Sequence, residues 1–411
     1  MASPLRRRKE EEKQEIVPRR VETPLPPAEA ERRRQGIPQQ GISDYIRMLT
    51  SPSAQERRIA AGRLGMIGDQ QAVQPLIERL DDRDARVREA AAFALSAIGD
   101  HRASEAIAAR LAIERDHGTR SALLWAIGSC GPESGGVPAF TRMLVRELQR
   151  GREESRIPAA HGLGAWGDRS AVPALIESLG YGGGASSRTD PDQRRATPPG
   201  AYGVRNEAVE ALVRLAQRDL SVVGALMDAL RSPDENIRMN AAKALGRIGD
   251  VRAVPDLIGM AGSDSDLYAR MAAAEALGRI GDTRAVPAII VFLGGPLMGE
   301  VGDRARGAAA EALGRLHDAR AIGPLIGALD DPSEIVRMGA IRALGSLGDR
   351  SAIGPLIRIL EGDRFEALRA AAALSLGSLG GAEAGDALRR ALSGGSQPVR
   401  AASERALASM R

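Results

Sequence analysis

Apolar residues recur along this chain with the period of an α-helix, and the blocks they form end alike, as in AKALGRIGD (242–250), AEALGRIGD (274–282) and RALGSLGD (342–349). Anchored on the residue that closes each block, the register runs 68, 99, 131, 167, 216, 249, 281, 317, 348, 380 and 411. Glycine holds eight of these eleven places, and aspartate follows in seven, at Asp69, Asp100, Asp168, Asp250, Asp282, Asp318 and Asp349. A glycine that ends one helix and an aspartate that caps the next is helix punctuation. Between anchors lies a segment such as RAVPALI, with proline in the first helical turn where its missing N–H costs little. A short turn and a second helix follow. Each unit is therefore a helical hairpin, helix A then helix B, which cannot bury its apolar face alone and must stack on its neighbours.

The repeat GDxRAVPxLIxxLxDxxxxVRxxAAxALGxIGD is carried by GDRSAVPALIESL (167–179), GDVRAVPDLI (249–258), GDTRAVPAII (281–290) and VRMGAIRALGSLGD (336–349). It closely resembles the HEAT-like repeat of the phycobilisome lyases. The resemblance implies an all-α fold, a right-handed α-α superhelix of about eleven hairpins with helix B on the concave side. The units fall at 42–68, 69–99, 100–131, 132–167, 168–216, 217–249, 250–281, 282–317, 318–348, 349–380 and 381–411. Residues 1–41 mix charge runs with prolines and read as a disordered tail, and 181–203, rich in Gly, Ser and Pro, reads as a long loop inserted in unit 5. A smaller insertion, 294–303, lengthens unit 8.

Indexed back from the anchor at 100° per residue, positions −12, −8, −5, −4 and −1 of helix B share the core face. Positions −10, −6 and −2 lie opposite. The −6 column is where the array departs from its own template, with Phe93, Trp125 and His161 in units 2–4, then Glu210, Lys243, Glu275, Glu311 and Arg342. These eight are the candidate partner-binding residues, the first three as an exposed apolar strip with about 10 Å between neighbouring helices. Glu210/Arg214, Glu275/Arg279 and Glu311/Arg315 have the i,i+4 spacing of a solvated helix face. Trp166 and Cys130, at position −1, read as core.

Eleven residues before every anchor stands an arginine: Arg57, Arg88, Arg120, Arg156, Arg205, Arg238, Arg270, Arg306, Arg337, Arg369 and Arg400. Six have an acid six residues earlier, at Asp82, Glu114, Asp264, Glu300, Asp331 and Asp363. That pattern resembles the Asp/Arg ladder that ties HEAT repeats together, so this column reads as structural.

Composition narrows the chemistry. Aromatics make up only 2% of the chain and apolar residues 43%, which suits closely spaced Ala- and Leu-rich helices. Of the net charge of +4, most belongs to residues 1–41, with ten Lys/Arg and seven Asp/Glu, so the repeats are nearly neutral. This disfavours the cationic footprint of a nucleic-acid binder, including the HEAT-like DNA glycosylases. The single cysteine and the lack of a long apolar run fit a soluble, cytoplasmic protein without membrane insertion; the sequence leaves the oligomeric state open, with a monomer as the expectation. No HExxH, GxSxG or P-loop is present, and GLGAWG (162–167) ends a helix instead of following a strand. A deoxyhypusine hydroxylase-like oxidoreductase would need His-Glu pairs, but the four histidines precede Arg102, Gly118, Gly162 and Asp318. The sequence therefore assigns no catalytic residue, metal or cofactor. The leading expectation is a non-enzymatic scaffold that binds a protein or peptide on helix B; a phycobilin lyase-like chromophore-handling subunit is the alternative.

Overall fold

The computed structural model describes residues 39–131, 138–182, 201–297 and 299–410. Among them are twenty-two α-helices and no strand, from Gln39–Met48 to Gln397–Ser409. They pair into eleven hairpins, and ten of the B helices end at or one residue before the anchors read from the sequence; the last ends at Ser409. Of the expected tail, residues 1–38 lie outside the described residues, as do 183–200 of the expected loop. Helix B of unit 5, Ala201–Ala216, opens inside that loop segment, and helix B of unit 8, Gly299–Leu316, takes up the second half of the smaller insertion.

Each junction is built by two adjacent residues. Gly68, Gly99, Gly167, Gly249, Gly281 and Gly348 adopt the left-handed conformation, and each N–H closes back on a leucine carbonyl four residues earlier. The six aspartates that follow, and Asp318 after His317, each cap a single 3₁₀ turn: in all seven, the carboxylate accepts a hydrogen bond from the backbone N–H two residues on. That turn leads directly into helix A, with Pro173, Pro255 and Pro287 in the first positions of three of them.

Successive B helices approach very closely. The first glycine of the LGxIG-like stretch faces position −5 of the next unit, an alanine in most units: a Cβ on Gly246 would stand 2.6 Å from the Cα of Ala276, and one on Gly314 2.7 Å from the Cα of Ala343. This is the reason for glycine there, since any side chain would push the units apart. The same proximity buries position −7, as at Ala61, Leu124 and Ala274, a column outside the expected core face. A helix flanked by equals on both sides has more than one buried stripe.

The arginine column forms an inter-unit ladder. Arg57 reaches Asp82 at 2.7 Å, Arg88 reaches Glu114 at 2.7 Å, Arg238 reaches Asp264 at 2.7 Å and Arg337 reaches Asp363 at 3.0 Å, while Arg306 grips Asp331. In each case the acid belongs to the following unit. Glu300 is the exception among the six expected acids, since it pairs with Arg304 on its own helix at 3.1 Å. Arg120 finds Glu147 instead. Where no acid is supplied, neutral groups substitute. Arg156 donates to the Gly151 carbonyl at 3.0 Å and lies 4.3 Å over the Tyr181 ring. Arg205 donates to the Tyr181 carbonyl at 2.7 Å and to Asn236 at 2.9 Å, and Arg270 to the Ala261 carbonyl at 2.9 Å with its guanidinium 4.5 Å over Phe292. Arg400 donates to the Gly395 carbonyl at 2.8 Å, and Arg369 has only Glu366, at 3.7 Å.

Candidate partner-binding face

Helix B of unit 3, His117–Cys130, is capped by Asp116, and Trp125 is not among its buried residues. The next B helix, Glu153–Trp166, contains Pro158, which cannot donate to the Glu154 carbonyl; Ser121 of unit 3 supplies that bond instead, at 3.1 Å. One turn beyond Trp125, Gly128 leaves room for the neighbouring backbone, since a Cβ there would be 3.0 Å from both the Gly162 Cα and His161 Cδ2. The His161 ring is thereby carried against Trp125, with centroids 4.8 Å apart and planes tilted by 49°.

His161 is also tied to unit 5. Its Nδ1 lies 3.0 Å from Glu207 Oε1 and 3.4 Å from Arg214 Nη1. Arg214 completes the cluster with 3.1 Å to Glu207 and 3.5 Å to the His161 carbonyl. Trp125 and His161 are consequently half-buried, whereas Phe93 is 46% exposed. The strip is less open than its sequence suggests, because two of its three members cover one another.

The charged stretch is also organised differently. Arg214 turns toward unit 4, so the expected Glu210/Arg214 pair does not form; Glu210 is held by Arg247 of unit 6. Lys243 is half-buried, its ammonium pushed below the ordinary lysine value by burial, against the charge of Glu275. Glu311 meets both Arg315 of its own helix and Arg342 of the next, each at 3.6 Å. The i,i+4 rule was derived for lone helices, and here a neighbouring helix offers equally near partners.

One part of this face was missed by column −6 alone. Between units 7 and 10 an open pocket of about 440 Å³ is walled by Met271, Ile335, Met338 and Phe365, with Glu311 and Arg342 at its edge. Its floor is low because unit 8 presents Gly307, where a Cβ would meet Ile335 Cγ2 at 2.9 Å. The available signal was column −10, which carries Met239, Met271 and Met338 with Gly307 between the last two. Methionine adapts its shape to irregular partners.

Reactive chemistry has few candidates here. Among the described residues no group of three His, Cys, Asp or Glu side chains converges as metal ligands would. Burial pushes the Cys130 thiol up to about 12, which removes its nucleophilic form. Cys130 and Trp166 are core residues as expected, and the Trp166 indole N–H donates to the Ile127 carbonyl at 2.7 Å while Phe140 packs edge-on at 5.0 Å. No described helix is long and apolar enough to cross a membrane.

Comparison with known proteins agrees with this architecture. A 90-residue stretch is 36% identical to phycocyanobilin lyase subunit alpha of Picosynechococcus sp., covering 22% of this chain and 29% of that protein. Among solved structures, Kap121p superposes with a TM-score of 0.61 at 13% identity, over 91% of this chain and 46% of its own. Kap121p bound to Nup53p gives 0.64 at 14% identity, over 90% and 45%. The structure of Kap95p with RanGDP gives 0.59 at 13%, over 93% and 58%. The chain thus spans under a third of the curated relative and about half of these solenoids. The HEAT-repeat family model matches residues 43–128, 200–278, 266–341, 297–365 and 324–408, more than half of the sequence, and the chain belongs to the HEAT-repeat proteins.

Proposed function

We propose that this chain is a non-enzymatic scaffold that binds a protein or peptide on the exposed face of its B helices. The observation that carries this reading is the apolar pocket at Met271, Ile335, Met338 and Phe365, on a face whose charges are largely matched within the array. Such a surface offers a partner apolar area without charges that must first be stripped of water. The half-exposed Phe93, Trp125 and His161 form a second apolar region on the same face, and Glu210, Lys243, Glu275, Glu311 and Arg342 line the way between the two. Kap121p, which shares the fold, has been solved with Nup53p bound. The test is to identify proteins retained by the full chain and measure their affinity for purified wild type, Trp125→Ala and Ile335→Asp. Losing an interface anchor costs about 2 kcal/mol, roughly thirtyfold in Kd. Unchanged affinity in both variants, with melting temperature preserved, would sink the reading.

The partial identity to a phycocyanobilin lyase subunit supports a second reading, a chromophore-handling subunit. That role predicts bilin transfer to an apo-phycobiliprotein, seen as a coloured adduct. The scaffold reading expects no colour.

A further inference from the structure

In five steps of the ladder, an arginine of one B helix binds a carboxylate 25 or 26 residues later. Twenty-five residues after Arg369 stands Gly394, and the carboxylate is missing. A pocket of about 220 Å³ opens there between units 10 and 11, lined by Arg369, Arg390, Glu361, Gly394, Gly395 and Val399 among others.

Arg369 is the ladder arginine whose side chain is left without a hydrogen bond. The ten others each donate to a carboxylate, an amide or a backbone carbonyl, as at Arg270 and Arg400. Its Nε is buried and unmatched, and its nearest acid is Glu366, 3.7 Å away and largely in solvent. Arg79 and Arg306 also leave an Nε unmatched, but both donate from their outer nitrogens. Across the pocket, Arg390 gives its Nε and Nη2 to Glu361 at 3.2 and 2.8 Å. The one acid lining the pocket is therefore already engaged.

We propose that this gap is an oxyanion site in which a carboxylate or phosphate from outside the repeat takes the place of the absent ladder acid. Two oxygens on one centre match the planar fork of the Arg369 guanidinium. The anion is brought by a peptide carboxylate or is free phosphate; the site reads the shared chemistry. The pocket has space for it, because a Cβ on Gly394 would touch nothing within 4 Å. That same space allows a substitution that supplies the ligand internally: Gly394→Asp restores the ladder acid at its usual interval.

The experiment follows the melting of the full chain as acetate or inorganic phosphate is titrated at constant ionic strength against chloride. An anion that binds only the folded state raises the melting temperature with concentration. Wild type should respond to at least one of the two, and the responding anion identifies the source. Arg369→Gln should need about tenfold more anion or lose the response, since a charge-assisted bond is worth at least that factor. Gly394→Asp should melt higher than wild type without anion and respond no further. General salting effects act equally on all three proteins. An identical response in wild type and both variants would overturn the site, as would the absence of any response in wild type. The reading of the B-helix face does not depend on this outcome.

Discussion

His317 occupies the place that glycine fills in most units, and with φ of 48° it is the described non-glycine residue with a left-handed backbone. A side chain in that conformation costs about 1–2 kcal/mol relative to glycine, partly offset by the greater freedom glycine has when unfolded. His317 is exposed, so His317→Gly should raise stability by about 0.5–1 kcal/mol. A urea midpoint that drops would refute this. The anchor column was legible because this punctuation is local: Asp318 still caps its 3₁₀ turn after a histidine as Asp250 does after a glycine. Trp125 was legible only as an anomaly, since its contact with His161 depends on Gly128 and Gly162 in two different units.

At the scale of the element, helical glycines divide by where they face. Gly259 has open space around it, so Gly259→Ala should stabilise by up to about 1 kcal/mol through helix propensity alone. Gly246→Ala would instead drive a Cβ into the Ala276 backbone and should cost about 1–3 kcal/mol despite the same gain in propensity. Thermal melts of the pair distinguish packing from propensity. The ladder gives a prediction in pH. Burial alone would raise the Glu114 carboxyl, but hydrogen bonds from Arg88, Arg110 and two backbone amides hold it down at about 2, and Arg102 holds Asp100 at about 2. A carboxylate whose value is lower when folded stabilises the protein fully above its unfolded value near 4.5, and that contribution is lost as pH falls toward 2. Melting temperature should thus decline from about pH 5 to about pH 2. Glu114→Gln should be destabilised at pH 7, by about 3 kcal/mol for a broken buried pair, and should decline less steeply with acid. An acid profile unchanged by the substitution would count against the ladder as its cause. The arginine column itself could be read from spacing; that Arg57, Arg88, Arg238, Arg306 and Arg337 bind the acid of the following unit, and that Arg214 and Arg247 also cross between units, arises only when the hairpins stack.

For the whole molecule, matching of charge along the B face separates partner classes. Binding through the Met271–Phe365 pocket should vary little with salt, whereas a phosphate-backbone partner would lose affinity steeply. Titration of an identified partner at two ionic strengths decides it, and a steep fall would argue against apolar capture. The pocket escaped the sequence because it draws on four units at different helical offsets, which only the stacked geometry brings together. The Gly–Ala contacts carry a mechanical consequence. Successive B helices make extensive contacts with one another, whereas the A helices touch sparsely. Backbones already at contact cannot be compressed, so bending of the solenoid has to open and close the edge built by the A helices. The B-helix edge then behaves as a ruler: its marks keep their intervals while the strip they are cut into flexes, and a partner read along several marks meets the same spacing in every bent state.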